Sequence, residues 1–368
     1  MAIIAPLPST ILPGTLEDAN QVQANFDWIV SQVNANVPGG GGGGGGRNML
    51  FNGAMQVSQR LVATVKTLVA ASGYTLDRWQ GKSGAGGSAA FSQITGIVNA
   101  QFQYACRVQR TAANAAVTAI QLAQSLESVD SYPAQGRTVT ISFWARSGGS
   151  FSPTGSLLNC AVMTGTGADE NVLVGYTGVA TGITTDVVLS PSWQQFQASG
   201  VLSSALTELG VVFTMTPTGT AGATDYFDVT GVQLELTTAA SGYFFVGFGD
   251  DVAICQRYYQ KSFPYATVPA PNLGGTTPIF LAVIAGANLA STVIPLPVAL
   301  RTYTTAFLTT YNPAVANFQA RNVTRSQDCS GTSITLSSEF YAVLNCIGSA
   351  GTLAGDPLSF NYSIDAEI

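Results

Sequence analysis

Carboxylates stand close together in the chain at Asp169 with Glu170, Asp225 with Asp228, and Asp250 with Asp251. Two carboxylates facing one cleft are the minimum apparatus for hydrolysing a glycosidic bond, one acting as acid and the other as base or nucleophile. Neighbours on a strand point to opposite faces, however, and all three pairs sit beside Gly- or Thr-rich turns, where acidic side chains cap backbone N–H groups. Histidine is absent from all 368 residues, which removes Ser-His-Asp and Cys-His nucleophilic systems and the commonest zinc ligand together. The chain is therefore read as non-enzymatic, with no cofactor and no bound metal expected. A calcium site at Asp225 or Asp228 would lack the spacing of a calcium loop. Cys106, Cys160, Cys255, Cys329 and Cys346 are odd in number, widely spaced and without a CxxC. Free buried thiols are expected, with Cys329 and Cys346 the one pair worth considering for a bond.

Aromatic side chains offer a different chemistry, because flat rings take the C–H faces of sugars. Trp144 falls on the same strand face as Thr140, Ser142 and Arg146, a polar surface with one platform, although burial against a second sheet or a neighbouring subunit is the plainer reading. Tyr303, and Tyr311 followed by Asn312 and Pro313, lie near turns of the C-terminal part and are expected to be exposed, with the Asn312 amide free to pair with hydroxyls. Trp79 and Trp193 read as core. Tyr243-Phe244-Phe245 and Tyr258-Tyr259 read as clamps between one domain and the next.

The elements that would position these residues follow from composition and period. Charged residues make up 9% and hydrophobic ones 46%, with Gly, Ser, Thr, Asn and Gln supplying the polarity, a profile of strands and turns. So little charge on so long a chain leaves apolar surface to cover, and identical partners are the ordinary cover. The net charge of -6 and the absence of Lys or Arg clusters set nucleic acid aside. The start has no basic region and Pro278 to Ala287 is too short to span a bilayer, so neither export by a signal nor membrane insertion is expected.

Residues 1–38 form the first unit, extended to Pro13 and then helical from the Thr15 cap. Val22, Phe26, Ile29 and Val33 lie on one apolar stripe suited to trimerisation or to attachment to another protein. Gly39 to Gly46 is an unbroken glycine linker. Residues 47–261 read as an antiparallel β-sandwich of jelly-roll type, with strands at Asn48–Val57, Arg107–Arg110, Val117–Ser125, Thr138–Arg146, Val172–Thr177, Gln194–Val201, Leu209–Thr216 and Phe227–Leu236. Residues 262–368 read as a C-terminal β domain, uncharged from Ser262 to Leu300 and closing on a strand, Ser359 to Ile368, with one wet and one dry face.

An ordered set of motifs carries a resemblance. RNMLFNG at Arg47 to Gly53, Gln59-Arg60, YTLDRW at Tyr74 to Trp79, TVTISFWAR at Thr138 to Arg146, WQQF at Trp193 to Phe196, VQLE at Val232 to Glu235, ICQRYYQK at Ile254 to Lys261 and the closing Asp365-Ala366-Glu367-Ile368 resemble the sandwich module of bacteriophage tail-fibre and tail-spike proteins. The LEDANQVQANFDWIVSQVNANV stretch is similar to their attachment segment. The resemblance implies a homotrimeric virion protein, made in the host cytoplasm, with a sandwich shaped like carbohydrate-binding modules. It would be anchored to another virion protein through residues 1–38 and would adhere to host-surface polysaccharide or lipopolysaccharide. A capsid-attached fibre or a tail subunit without receptor role shares every one of these features, and a glycan depolymerase would need the facing carboxylates in addition.

Overall fold

The computed structural model describes residues 25–26, 48–99, 101–274, 280–286, 289–329, 331–336, 338–349 and 351–368. It is mainly β, with 42% strand and 7% helix. Two six-stranded antiparallel sheets face each other. The first runs in the order β1 (Val65–Val69), β4 (Ser88–Asn99), β5 (Phe102–Arg110), β12 (Tyr226–Glu235), β7 (Thr138–Ser147), β10 (Gln194–Val201). The second runs β2 (Ser72–Tyr74), β3 (Gln80–Ser83), β6 (Ile120–Ser125), β11 (Glu208–Met215), β8 (Leu157–Gly165), β9 (Ala180–Val188). Within this, β5-β12-β7-β10 over β6-β11-β8-β9 is the strand order of a jelly roll.

Alternation makes the sandwich. Val139, Ile141, Phe143 and Ala145 of β7 are fully buried between the sheets, and the Phe143 ring meets Phe213 of β11 edge to face at 4.9 Å. Trp79 is core as expected, its indole N–H donating to the Asn52 carbonyl oxygen at 3.1 Å. Trp193 is not core. It is half-buried on the outer surface with Arg146 above its ring.

The third sheet has nine strands around β21 (Pro357–Asp365). β14 (Phe280–Gly286) and β17 (Arg321–Asn322) pair with the first half of β21, and β13 (Tyr259–Lys261) and β16 (Phe307–Tyr311) with the second. β15 (Leu289–Pro295), β20 (Tyr341–Ile347) and β19 (Gly331–Leu336) continue beyond β14, and β18 (Gln327–Asp328) beyond β17. The expected wet face of the last strand is absent. Ser359, Asn361 and Ser363 are buried along with Phe360, Tyr362 and Ile364, because β21 is central in the sheet, and Ser363 and Asn361 meet the Tyr311 and Ser262 hydroxyls.

Two expected strands are loops. Asn48–Val57 folds in turns, with Asn52 and Met55 at positive φ and the Asn52 amide donating to Val57 O and Asp77 O, so its apolar residues are buried without a ladder. Val172–Thr177 lies in the connection between β8 and β9. Of the helical stripe, Val22, Ile29 and Val33 lie outside the described residues, as does the glycine run, while Phe26 is exposed.

Residues of four of the ordered motifs meet at the joint between sandwich and third sheet: Arg60, Arg78, Arg257 with Tyr258 and Tyr259, and Asp365 with Glu367. Arg78 ion-pairs with Glu367 and stacks 3.5 Å from the Tyr258 ring centre. Arg60 binds Asp365 at 2.6 Å and Glu367 at 3.2 Å, 3.8 Å above Tyr259. Glu127 accepts from Arg257 through both oxygens at 2.9 Å and from the Tyr258 hydroxyl at 2.5 Å. The side chains of Tyr74 and Asn171 both donate to Ile368 O at 2.8 Å. Burial opposes the charge on Arg60 and Arg78, yet the neighbouring carboxylates hold both above the usual guanidinium value. Tyr258 and Tyr259 thus clamp the two bodies as expected, whereas Tyr243 and Phe245 pack on Phe102 of the sandwich itself.

Candidate functional site

The carboxylate pairs of the sequence are engaged elsewhere. Asp225 is buried against Arg110 and the Ser152 N–H, and Asp228 against two arginines. Asp169 accepts from the Ser128 N–H, Glu170 from the N–H and hydroxyl of Thr177, and Asp251 from the Asn52 N–H. The Thr177 bonds hold Glu170 below its ordinary carboxylate value, whereas burial raises Asp251. Among the described residues, no group of three or more His, Cys, Asp or Glu stands close enough to hold a metal, and no helix is long and apolar enough to cross a membrane.

The outer face of the second sheet carries an open hollow. Register aligns five polar side chains in one row perpendicular to the strands: Lys82 opposite Gln121, Gln121 opposite Thr214, Thr214 opposite Asn159, Asn159 opposite Asp186. The row steps from β3 through β6, β11 and β8 to β9, and with neighbouring strands about 4.8 Å apart its length is about 19 Å. Two residues along, Ala123, Val212 and Ala161 make a parallel apolar row that ends in Thr184.

The connection from β8 to β9 walls one side. Val172 and Leu173 pack on Ala123, Val212 and Met163, and the Lys82 ammonium donates to Leu173 O at 2.7 Å. The hollow so enclosed has a volume of about 480 Å³, and a second of about 260 Å³ continues it past Asn159 and Thr214 toward Asp186 and Thr218. The first is of the size of small-ligand sites, and the second extends it. The polar groups are held in place: Asn159 donates to Thr184 Oγ1 at 3.0 Å and Asp186 Oδ1 at 2.8 Å, and Gln121 to Thr214 Oγ1 at 3.4 Å. Asp186 is the one carboxylate among the described groove residues. A separate hollow below Asn52 and Asp251 has a volume of about 30 Å³, room for a single water.

Of the residues singled out in the sequence, Trp144 stands on the outer face of the first sheet, opposite Thr230 and Gln195, turned away from the second sheet. Tyr303 is 38% exposed. Tyr311 is half-buried, its ring edge to face with Phe263 at 5.3 Å and Phe318 at 5.7 Å and its hydroxyl on Ser363. Asn312 is fully buried, against expectation, because its amide bonds Asn317 and Asp328 and its oxygen takes the N–H groups of Ala314 and Val315. No bond is left for a ligand at Asn312. The structure does not bring Trp144 together with the distal tyrosines. Cys329 and Cys346 are buried free thiols whose side chains meet.

No family model matches the chain, and no curated protein matches it. Among solved structures it is similar to the enzymatically active domain of tailspike protein 4 of bacteriophage CBA120, with TM-score 0.33 and 10% identity over 52% of this chain and 21% of that one. The match thus spans about a fifth of the tailspike chain. It is also similar to the carbohydrate-binding module CBM4, with TM-score 0.29 and 15% identity over 50% of this chain and 98% of that one. A third likeness is to TmCBM61 in complex with β-1,4-galactotriose, with TM-score 0.28 and 11% identity over 51% of this chain and 97% of that one.

Proposed function

We propose that the protein is a glycan-binding structural subunit of a phage tail fibre, and that the groove on the second sheet is where the glycan lies. The observation that carries the binding role is the polar row from Lys82 to Asp186, which runs beside an apolar row across five adjacent strands. Such a surface offers donors and acceptors at regular steps to hydroxyls, while the exposed Val174 on the wall of the hollow is placed to receive C–H faces. Binding rather than cleavage is the reading, since one carboxylate alone does not supply acid and base. The virion role is supported by the ordered motifs and by the apolar side chains left exposed on strands of the third sheet, Val293 and Phe307, and in its connections, Phe318 and Phe340, which suit a trimeric assembly attached through residues 1–38.

The test is titration of the full-length protein with polysaccharide extracted from a susceptible host, comparing the native chain with Asn159→Ala and Gln121→Ala. Each variant should bind about tenfold or more weakly with an unchanged melting curve. Equal binding by folded variants would remove the groove, and shortening of the polysaccharide during incubation would replace binding by cleavage.

A further inference from the structure

The outer face of the first sheet carries a second constellation, independent of the groove. Asp228, fully buried, accepts from Arg107 Nε at 2.8 Å and Nη2 at 3.0 Å and from Arg146 Nε at 2.8 Å. Each guanidinium also rests on a ring, Arg107 3.6 Å from the Tyr226 centre and Arg146 4.9 Å from that of Trp193. The two side chains remain 24% and 30% exposed.

One carboxylate serving two arginines leaves a net charge of about +1 on a chain of net charge -6, and among the described residues neither arginine has another ion-pair partner. Pinning by Asp228 and the rings removes the side-chain freedom that a surface arginine ordinarily loses on binding. The terminal nitrogens of Arg146 make no hydrogen bond among the described residues. Two residues before it on the same face, about 7 Å along the strand, Trp144 is half-buried and its indole N–H has no partner among the described residues.

We propose that this patch binds a carboxylate-bearing sugar, an acidic glycan unit, whose carboxylate pairs with the Arg146 guanidinium while its ring lies against Trp144. A planar carboxylate matches the fork of N–H donors on a guanidinium, and a half-exposed indole supplies flat apolar area at small entropic loss. A purely structural triad would tie β5, β12 and β7 together with no interest in ligand charge.

The probe is a galacturonate oligomer, with its methyl-esterified form as the uncharged twin, titrated into full-length protein at low and high salt. The acid form should bind about tenfold or more tightly than the ester and weaken with salt. Arg146→Gln and, separately, Trp144→Ala should each reduce acid binding by about tenfold, Trp144→Ala at an unchanged melting temperature and Arg146→Gln at a lowered one, whereas Asn159→Ala in the groove should leave it intact. Trp144→Ala keeps the test open should Arg146→Gln fold poorly. Equal affinity for acid and ester, or full acid binding by a folded Trp144→Ala, overturns the proposal. Loss of acid binding in Asn159→Ala would place the acidic ligand in the groove and overturn it as well.

Discussion

At the scale of the residue, motif order and chemistry diverge. Arg60, Arg78, Tyr258, Tyr259, Asp365 and Glu367 belong to the stretches that gave the resemblance, and together they build a joint. Glu367 is 3% exposed in its side chain and serves both arginines. Glu367→Gln should therefore destabilise the protein by about 3–5 kcal/mol, because Arg78, 1% exposed in its side chain, keeps its charge after its buried partner is lost. Urea unfolding measures this, and a loss under about 1 kcal/mol would mean that the pair is not sealed from solvent. The groove residues were out of reach of the sequence for a definite reason. Gln121, Thr214 and Asn159 are each flanked by apolar residues on both sides, which marks them as outward-facing, but their alignment is a matter of register between distant segments. Asn312 misleads the other way, since an amide beside a proline turn reads as exposed and here fastens the turn from inside.

At the scale of the element, clean alternation was legible and irregular backbone was not. Gln194–Val201 is a strand with the bounds its pattern predicts, and Thr138–Arg146 differs from β7 by one residue. Asn48–Val57 misreads because side-chain amides replace the ladder for its backbone groups, which no hydrophobic period records. In the third sheet, the turn before β21 is held by Asp356, which accepts from Arg325 at 2.7 Å, the Leu353 N–H at 3.0 Å and Asn322 at 2.9 Å. The Arg325 bond, then those of Leu353 and Asn322, pull its carboxyl from 3.8 to about 2. The unfolded chain takes up this proton first, so the contribution is whole above about pH 4 and falls as pH drops through about 2. Thermal melts between pH 4 and 2 should show a decline that Asp356→Asn lessens, and an identical slope in the variant would assign the decline to other acids.

At the scale of the whole molecule, composition anticipated a mainly β chain, and the structure is mainly β, in two facing sheets and a third nine-stranded one. The trimer is a proposal at this scale, drawn from sparse charge and from exposed side chains such as Phe307 at 72% and Phe340 at 64%. Mass measurement at micromolar concentration should give three chains per particle, and a stable monomer would contradict it. Deleting residues 1–46 should leave a folded body that no longer joins the virion, and incorporation of the truncated chain would move the anchor elsewhere. Whether the groove holds glycan is decided by a structure of the full-length protein with an oligosaccharide released from the host surface. The oligosaccharide should lie along the row from Lys82 to Asp186, crossing β3, β6, β11, β8 and β9. An oligosaccharide bound on the third sheet, with the groove empty, would contradict this.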